Sequence, residues 1–253
     1  MATELLFLHV AVFGAALLQA ATGTGFGVIA GPIILMALND ESAIQVSILL
    51  SLMIAVVLTP SLIKSVDRVF LPRLVLGTAI GLPLGVGVFM LATVVLLKVL
   101  AGFAVLSMAF LVAGAMGLSR DKPTHHRGSL PDLAVGAVSG AMSAGLAMPG
   151  PVVAACMMTR GQSKVTTRAT LLTLFLFSYV GAIAVQAATV GVTASTINLC
   201  FTLAPATLLG VLIGKISAGR ISERLFQWAI MLILIATGAS LLLGAAVSLL
   251  DLG

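Results

Sequence analysis

The sequence predicts an all-α polytopic membrane protein made of two inverted repeats, each a broken or re-entrant helical hairpin plus three transmembrane helices. Three observations carry this expectation. Hydrophobic residues make up 60% of the chain and charged residues 8%, with a mean hydropathy of +1.23, which leaves too little polar surface to coat a water-soluble globule. Uncharged apolar runs recur from end to end, and the second half echoes the first in length and texture. The basic residues segregate to one face of the membrane only if the first run of each half dips in and returns.

The first run, Leu5 to Leu38, holds no formally charged side chain. Its opening, ELLFLHVAVFGAALLQA, lacks a basic n-region and continues into further apolar sequence, so it reads as mature structure rather than a cleaved signal. As one unbroken helix the run would extend about 51 Å, against a hydrocarbon core near 30 Å. In its middle stands ATGTGFGVIAGP, with Gly23, Gly25 and Gly27 at alternate positions. Each glycine costs a helix interior roughly 1 kcal/mol relative to alanine, so the run is predicted to break there.

Further apolar runs lie at about 43–63, 69–91 and 94–118. The polar stretch SRDKPTHHRGSLPD then divides the chain, and runs follow at about 133–159, 165–190, 196–214 and 225–250. This gives a first transmembrane repeat over 1–119, a cytoplasmic connector over 120–132 and a second repeat over 133–253. GTGFGVIAGPIILMAL is echoed by SAGLAMPGPVVAACMM, and QVSILLSL by TRATLLTL; Pro32 corresponds to Pro151 and Gln45–Leu52 to Thr167–Leu174. Glycine- or proline-interrupted segments at corresponding places in two halves point to the binding site of a secondary transporter.

The GTGFG element followed by Pro32, the Pro149–Pro151 PGP and the KVTTRATL that opens the next helix together resemble the sulfite exporter TauE/SafE family, the TSUP permeases. The resemblance spans both halves and rests on the order and spacing of these elements. It implies transport of small sulfur anions, such as sulfite or sulfonates. The first-half element is poorer in consecutive glycines than is usual in the family, and Pro149–Gly150 stands where two glycines usually precede the proline.

Topology follows from charge. If every run crossed once, the basic residues would divide nearly evenly between the two faces. With a re-entrant first run in each half, Lys64, Arg68, Arg73, Arg120, Lys122, Arg127, Arg160, Lys164, Arg168, Lys215, Arg220 and Arg224 share one face and Lys98 takes the other. The positive-inside rule puts the larger group in the cytoplasm and both termini in the periplasm of a bacterial inner-membrane protein. The glycines then form a hairpin tip near mid-membrane, with MPGP as the matching tip from the opposite face.

After each tip the chain re-enters helix, at about Val28 and about Val152, so free N–H groups and the positive ends of two helix dipoles point at one place. That is an anion site. The candidate substrate-binding residues are Thr22, Gly23, Thr24, Gly25, Gly27, Ser47, Ser139, Ser143, Pro149, Gly150, Pro151 and Arg168. The glycines admit an oxyanion close to backbone N–H groups, or else they pack helices as small residues do. The hydroxyls either donate to a sulfonyl oxygen or satisfy their own helix carbonyls. Arg168 matches the basic position of the family's second-half motif, and it either pairs with the oxyanion or snorkels to headgroups. Gly14, Gly77, Gly81 and Gly85 fit four-residue small spacing and read as packing residues.

His9 has no evident partner and reads as a packed or interfacial residue. All eight carboxylates fall in connectors or at segment ends, so no buried carboxylate is expected for ion coupling. No P-loop, metal-ligand cluster or nucleophile with a base occurs, and Cys156 and Cys200 stand singly. No cofactor, no catalytic residue and no nucleic-acid partner is therefore expected; the partners are a small anionic substrate, the lipid bilayer and, as an option, a second copy of the chain. The rival readings are a permease for a neutral or cationic solute and a membrane assembly factor without transport.

Overall fold

The computed structural model describes residues 2–117, 128–217 and 223–250, all within or between helices. In order these are α1 (Ala2–Thr22), α2 (Phe26–Leu38), α3 (Ser42–Leu62), a short 3-10 turn (Ile63–Ser65), α4 (Phe70–Leu91), α5 (Val94–Gly117), α6 (Ser129–Leu146), α7 (Gly150–Thr159), α8 (Lys164–Thr189), α9 (Ala194–Ser217) and α10 (Glu223–Leu250). Six helices are long and apolar enough to cross a membrane, within α1, α3, α4, α8, α9 and α10. The protein is a multi-pass, all-α membrane protein.

Both long first runs are broken where glycine and proline predicted it. α1 ends at Thr22 and α2 starts at Phe26, after Gly23 and Gly25 with φ of 90° and 128°. α6 ends at Leu146 and α7 starts at Gly150. α6 begins at Ser129, so Pro131 and Asp132 belong to its first turn rather than to the connector; a proline there forfeits no helical bond. Arg120, Lys122, His125, His126, Arg127, Arg220 and Asp251 lie outside the described residues.

Side-chain contacts give each helix a direction. One end of the bundle gathers basic residues: Arg73 and Arg160 both bond Asp132, the Arg160 guanidinium lies 4.1 Å over the Phe70 ring, and Gln162 donates to Asp67 at 3.2 Å. The Asp67 N–H meets the Thr170 hydroxyl at 3.0 Å. This end holds the last turn of α3 and the starts of α4, α6 and α8. At the opposite end Lys98 donates to the Asn39 side chain at 2.6 Å and Gln45 to the Gly191 carbonyl at 2.9 Å. The ends of α2 and α8 and the starts of α3 and α5 therefore meet there. The link from α1 to α2 is a hairpin opening at the Lys98 end; that from α6 to α7 is a hairpin opening at the basic end.

Helix pairs occur in matched sets. α4 runs parallel to α6, with Gly77, Gly81 and Gly85 set against the carbonyls of Leu133, Ala137 and Ala141 in turn. α1 runs parallel to α9: His9 reaches the Thr202 carbonyl at 3.1 Å, and Gly210 and Gly214 face the carbonyls of Phe13 and Leu17. α3 lies antiparallel to α8, and α5 antiparallel to α10 through Gly102 and Gly238. Such small-residue seams let backbones approach where no hydrophobic force drives helices together. By these directions, α1 begins and α10 ends at the Lys98 end.

α1 alone is long enough to cross; its end reaches Arg168 in the second turn of α8, and Gly27, just beyond the turn, comes beside Tyr179 near the middle of that helix. α2, at 13 residues, returns only about 20 Å. Four expectations need correction. Pro32 is the seventh residue of α2 whereas Pro151 is the second of α7, so the two prolines are not equivalent in register. A Cβ on Gly14 would meet nothing within 4 Å among the described residues, so no close helix seam depends on that glycine. His9 is partnered, by the Leu5 and Thr202 carbonyls. Finally, one carboxylate is buried: Asp132 is 1% exposed and ionically paired with two arginines, which offsets the cost of burying its charge.

The seam between α4 and α6 yields a stability test. A Cβ on Gly81 would overlap the Ala137 backbone, whereas one on Gly87 of the same helix would meet nothing within 4 Å. Gly81→Ala should therefore destabilise the purified protein by roughly 1–3 kcal/mol, and Gly87→Ala should leave it unchanged or raise it by up to about 1 kcal/mol. Thermal unfolding in detergent reads both, and equal transitions for the two variants would refute the close seam.

Candidate functional site

The two breaks meet inside the bundle. Thr24, Gly25, Gly27 and Val28 from the first tip line one small cavity with Met148, Pro149, Gly150 and Pro151 from the second. Gln19 of α1, Met108 of α5, and Phe175 and Tyr179 of α8 complete it. The space holds about one water molecule. Among the described residues no charged side chain lines it.

The sequence builds each tip differently. At the first, Gly23 and Gly25 adopt positive φ, which glycine takes without the Cβ penalty. The Thr22 hydroxyl donates to the Leu18 and Thr24 carbonyls, each at 2.7 Å, and the Gly23 N–H to the Gln19 carbonyl at 2.7 Å. The Arg168 guanidinium donates to the Ala20 carbonyl. At the second tip Ala147 ends α6 in the left-handed region (φ 59°), and Met148 closes back on the Met142 carbonyl at 3.1 Å. This is a Schellman-type end built without glycine, a conformation that costs an alanine roughly 1–2 kcal/mol.

The carbonyls around the second tip are occupied by donors from elsewhere. Tyr179 donates to the Ala147 carbonyl at 3.2 Å, Ser139 to that of Pro149 at 2.7 Å, and Gln186 to that of Ala144 at 2.7 Å. The tips also touch: a Cβ on Gly27 would overlap the Ala147 carbonyl oxygen, and one on Gly150 would stand 3.7 Å from Thr24 Cγ2.

The N–H groups have a different fate. At the start of α2, Gln19 Oε1 takes the Phe26 N–H at 2.9 Å, and the next bond, from Ile29 to the Gly25 carbonyl, is helical. Among the described residues, no hydrogen bond uses the N–H of Gly27 or Val28. α7 starts likewise, at Gly150, with Pro151 contributing no N–H. Two helix N-termini, each equivalent to roughly half a positive charge, thus border one small cavity with N–H donors to spare and the surrounding carbonyls largely taken.

Of the residues singled out in the sequence, Thr24, Gly25, Gly27, Pro149, Gly150 and Pro151 come together on the cavity wall. Thr22, Gly23 and Arg168 stand behind the first tip, and Ser139 behind the second. Ser47 bonds the Ala43 carbonyl of its own helix at 2.8 Å, with its Oγ 3.6 Å from where a Cβ on Gly31 would lie. Ser143 is buried with its hydroxyl unpartnered. The sequence reading passed over Gln19, Met108, Phe175 and Tyr179. Only Gln19 carried a signal, as a lone amide in an apolar run a few residues before the break.

No curated protein and no solved structure matches the chain. The family model described as Sulfite exporter TauE/SafE matches residues 8–241, a span that contains both breaks and all of the cavity wall. The chain therefore belongs to the sulfite exporter TauE/SafE family, a family of membrane permeases.

Proposed function

We propose that this permease carries a small sulfur oxyanion or organosulfonate, such as sulfite, by alternating access, holding it between the two hairpin tips. The observation that carries the reading is the shared cavity of the two interrupted runs, bordered by helix N-termini where, among the described residues, the Gly27 and Val28 N–H groups have no partner. An anion supplies the acceptors the cavity lacks; a cation would find no carboxylate on its wall. Family membership narrows the substrate class in the same direction.

The cavity is smaller than a sulfite ion, so the ion enters only when the tips part. Because the hairpins open toward opposite ends of the bundle, parting of one tip connects the cavity to one side and parting of the other to the second side. Residues 1–119 and 133–253 act in this reading as inverted repeats joined by a cytoplasmic connector. The matched helix pairs, α1 with α9 and α6 with α4, support it. Arg168 serves from behind, holding the last carbonyls of α1 so that the first tip keeps its shape.

The basic end faces the cytoplasm of a bacterial inner-membrane protein in this reading, and both termini are periplasmic. Single cysteines at positions 120–127 and 215–220 should then be shielded from an impermeant thiol reagent in intact cells, while positions near Asp40 and Asp251 should react. Labelling of 215–220 from outside would reverse the orientation.

Gly150 gives the sharpest test of the site, since its backbone is ordinary and a side chain there enters the space facing Thr24 and Phe175. Gly150→Val should abolish sulfite binding in calorimetric titration, and sulfite flux in proteoliposomes, while the protein still purifies as a folded species. Thr24→Val should weaken binding by roughly 0.5–3 kcal/mol, the range for one hydrogen bond to a neutral or charged partner. Wild-type affinity in Gly150→Val would remove the anion from the tips.

A further inference from the structure

We infer that Gln19 is a direct substrate ligand, whose pinned side-chain amide makes the cavity specific for a group that only accepts hydrogen bonds. The inference rests on the anion reading of the cavity and adds to it a residue and a selection rule. Gln19 lies in the last turns of α1, is 1% exposed, and lines the space between the tips. Its two polar atoms are treated unequally. Oε1 accepts the Phe26 N–H at 2.9 Å, whereas Nε2 is buried with no partner.

The amide cannot be turned over without loss. Phe26 presents an N–H, which only the oxygen can accept; rotation would set one donor against another and leave both unsatisfied. The bond to Phe26 therefore fixes the NH2 group as a donor. A buried amide hydrogen without a partner carries the desolvation penalty of that group with nothing to offset it, a cost that an oxyanion in the cavity removes. Among the described residues, no other side chain both lines the cavity and keeps a buried, unpartnered donor in it.

The same fixed donor sets what is refused. A ligand face carrying a hydroxyl or ammonium hydrogen would meet Nε2 hydrogens and the free N–H groups of Gly27 and Val28, and only the Thr24 and Tyr179 hydroxyl oxygens of the wall could receive it. The oxygens of a sulfonate or a fully deprotonated oxyanion present acceptors and no donor. Sites built on buried polar groups discriminate strongly because a mismatched ligand leaves them unpaired.

Gln19→Glu tests this with the least change of shape. One carboxylate oxygen can still take the Phe26 N–H, while the other replaces a donor by a negatively charged acceptor. Methanesulfonate is the probe, because it stays fully ionised across the pH range used, and titration calorimetry on the full-length purified chain is the readout. At pH 7.5 the variant should bind at least about tenfold more weakly than wild type, the effect of losing one hydrogen bond to a charged partner. Thermal stability should stay close to wild type.

Lowering the pH should restore binding in the variant alone, since the protonated carboxyl regains a donor; a merely structural role for Gln19 predicts no such recovery. Gln19→Met, similar in length and uncharged, provides an independent arm should the glutamate variant not fold, and should also bind about tenfold more weakly. Wild-type affinity in either folded variant overturns the role of Gln19 while leaving the anion site standing. If the wild-type protein binds none of methanesulfonate, sulfite and sulfate, the anion reading itself falls and this inference with it.

Discussion

Non-helical backbone deep in a membrane is tolerated only where protein covers it, and the rest of this structure follows from how its two breaks cover each other. The first turn of α2 rests on the second tip because Gly27 has no Cβ to hold it off the Ala147 carbonyl. Tyr179 and Ser139 then complete the second tip's carbonyls, and Thr22 and Arg168 those of the first. Nearly every loose acceptor is consumed while several donors are left over. That imbalance, rather than the presence of helix ends as such, gives the cavity its chemical character.

Charge is placed to favour this polarity. Lys98 stands beside Asn39 at the C-terminal end of α2, Arg168 at that of α1, and Arg160 just beyond that of α7. Cations at helix C-termini complement the negative dipole ends, so the three helices that frame the tips keep their positive ends, or their capped negative ends, where the anion reading needs them. Asp132 anchors Arg160 to Arg73 and thereby ties the end of α7 to the starts of α4 and α6. A buried ionic triad is weak evidence for stability, since its desolvation cost is large, but its geometry fixes register.

Much of the fold was legible because membranes make the code simple. Run lengths, the breaks at Gly23–Gly25 and Met148–Pro149, and the alignment of Gln45 with Thr167, each the fourth residue of its helix, are local facts of composition and spacing. The packing role of Gly77, Gly81 and Gly85 was legible for the same reason. What escaped was non-local. That Asp132 is buried depends on arginines 59 and 28 positions away in the chain. That Thr22 and Ser139 turn toward tip carbonyls, while Thr24 faces the cavity, depends on the backbone path of each turn and on what packs beside it. Tyr179 and Phe175 read as ordinary apolar helix residues, because nothing in α8 itself records that a tip from elsewhere will arrive.

In the proposed reading, a site of uncharged groups shared between two tips has a consequence for transport. A full counter-charge in the cavity would hold an anion tightly in every conformation, and a carrier must release what it binds. Here the first tip supplies Gln19, Thr24 and the start of α2, and the second supplies the start of α7. In the alternating-access reading, separation of the tips parts the donors and lets water replace what is lost, so that affinity is highest with the cavity closed and falls as it opens. In that reading the glycines and prolines at the tips serve transport twice: they bring two helix starts close enough to form a site, and they keep that site divisible.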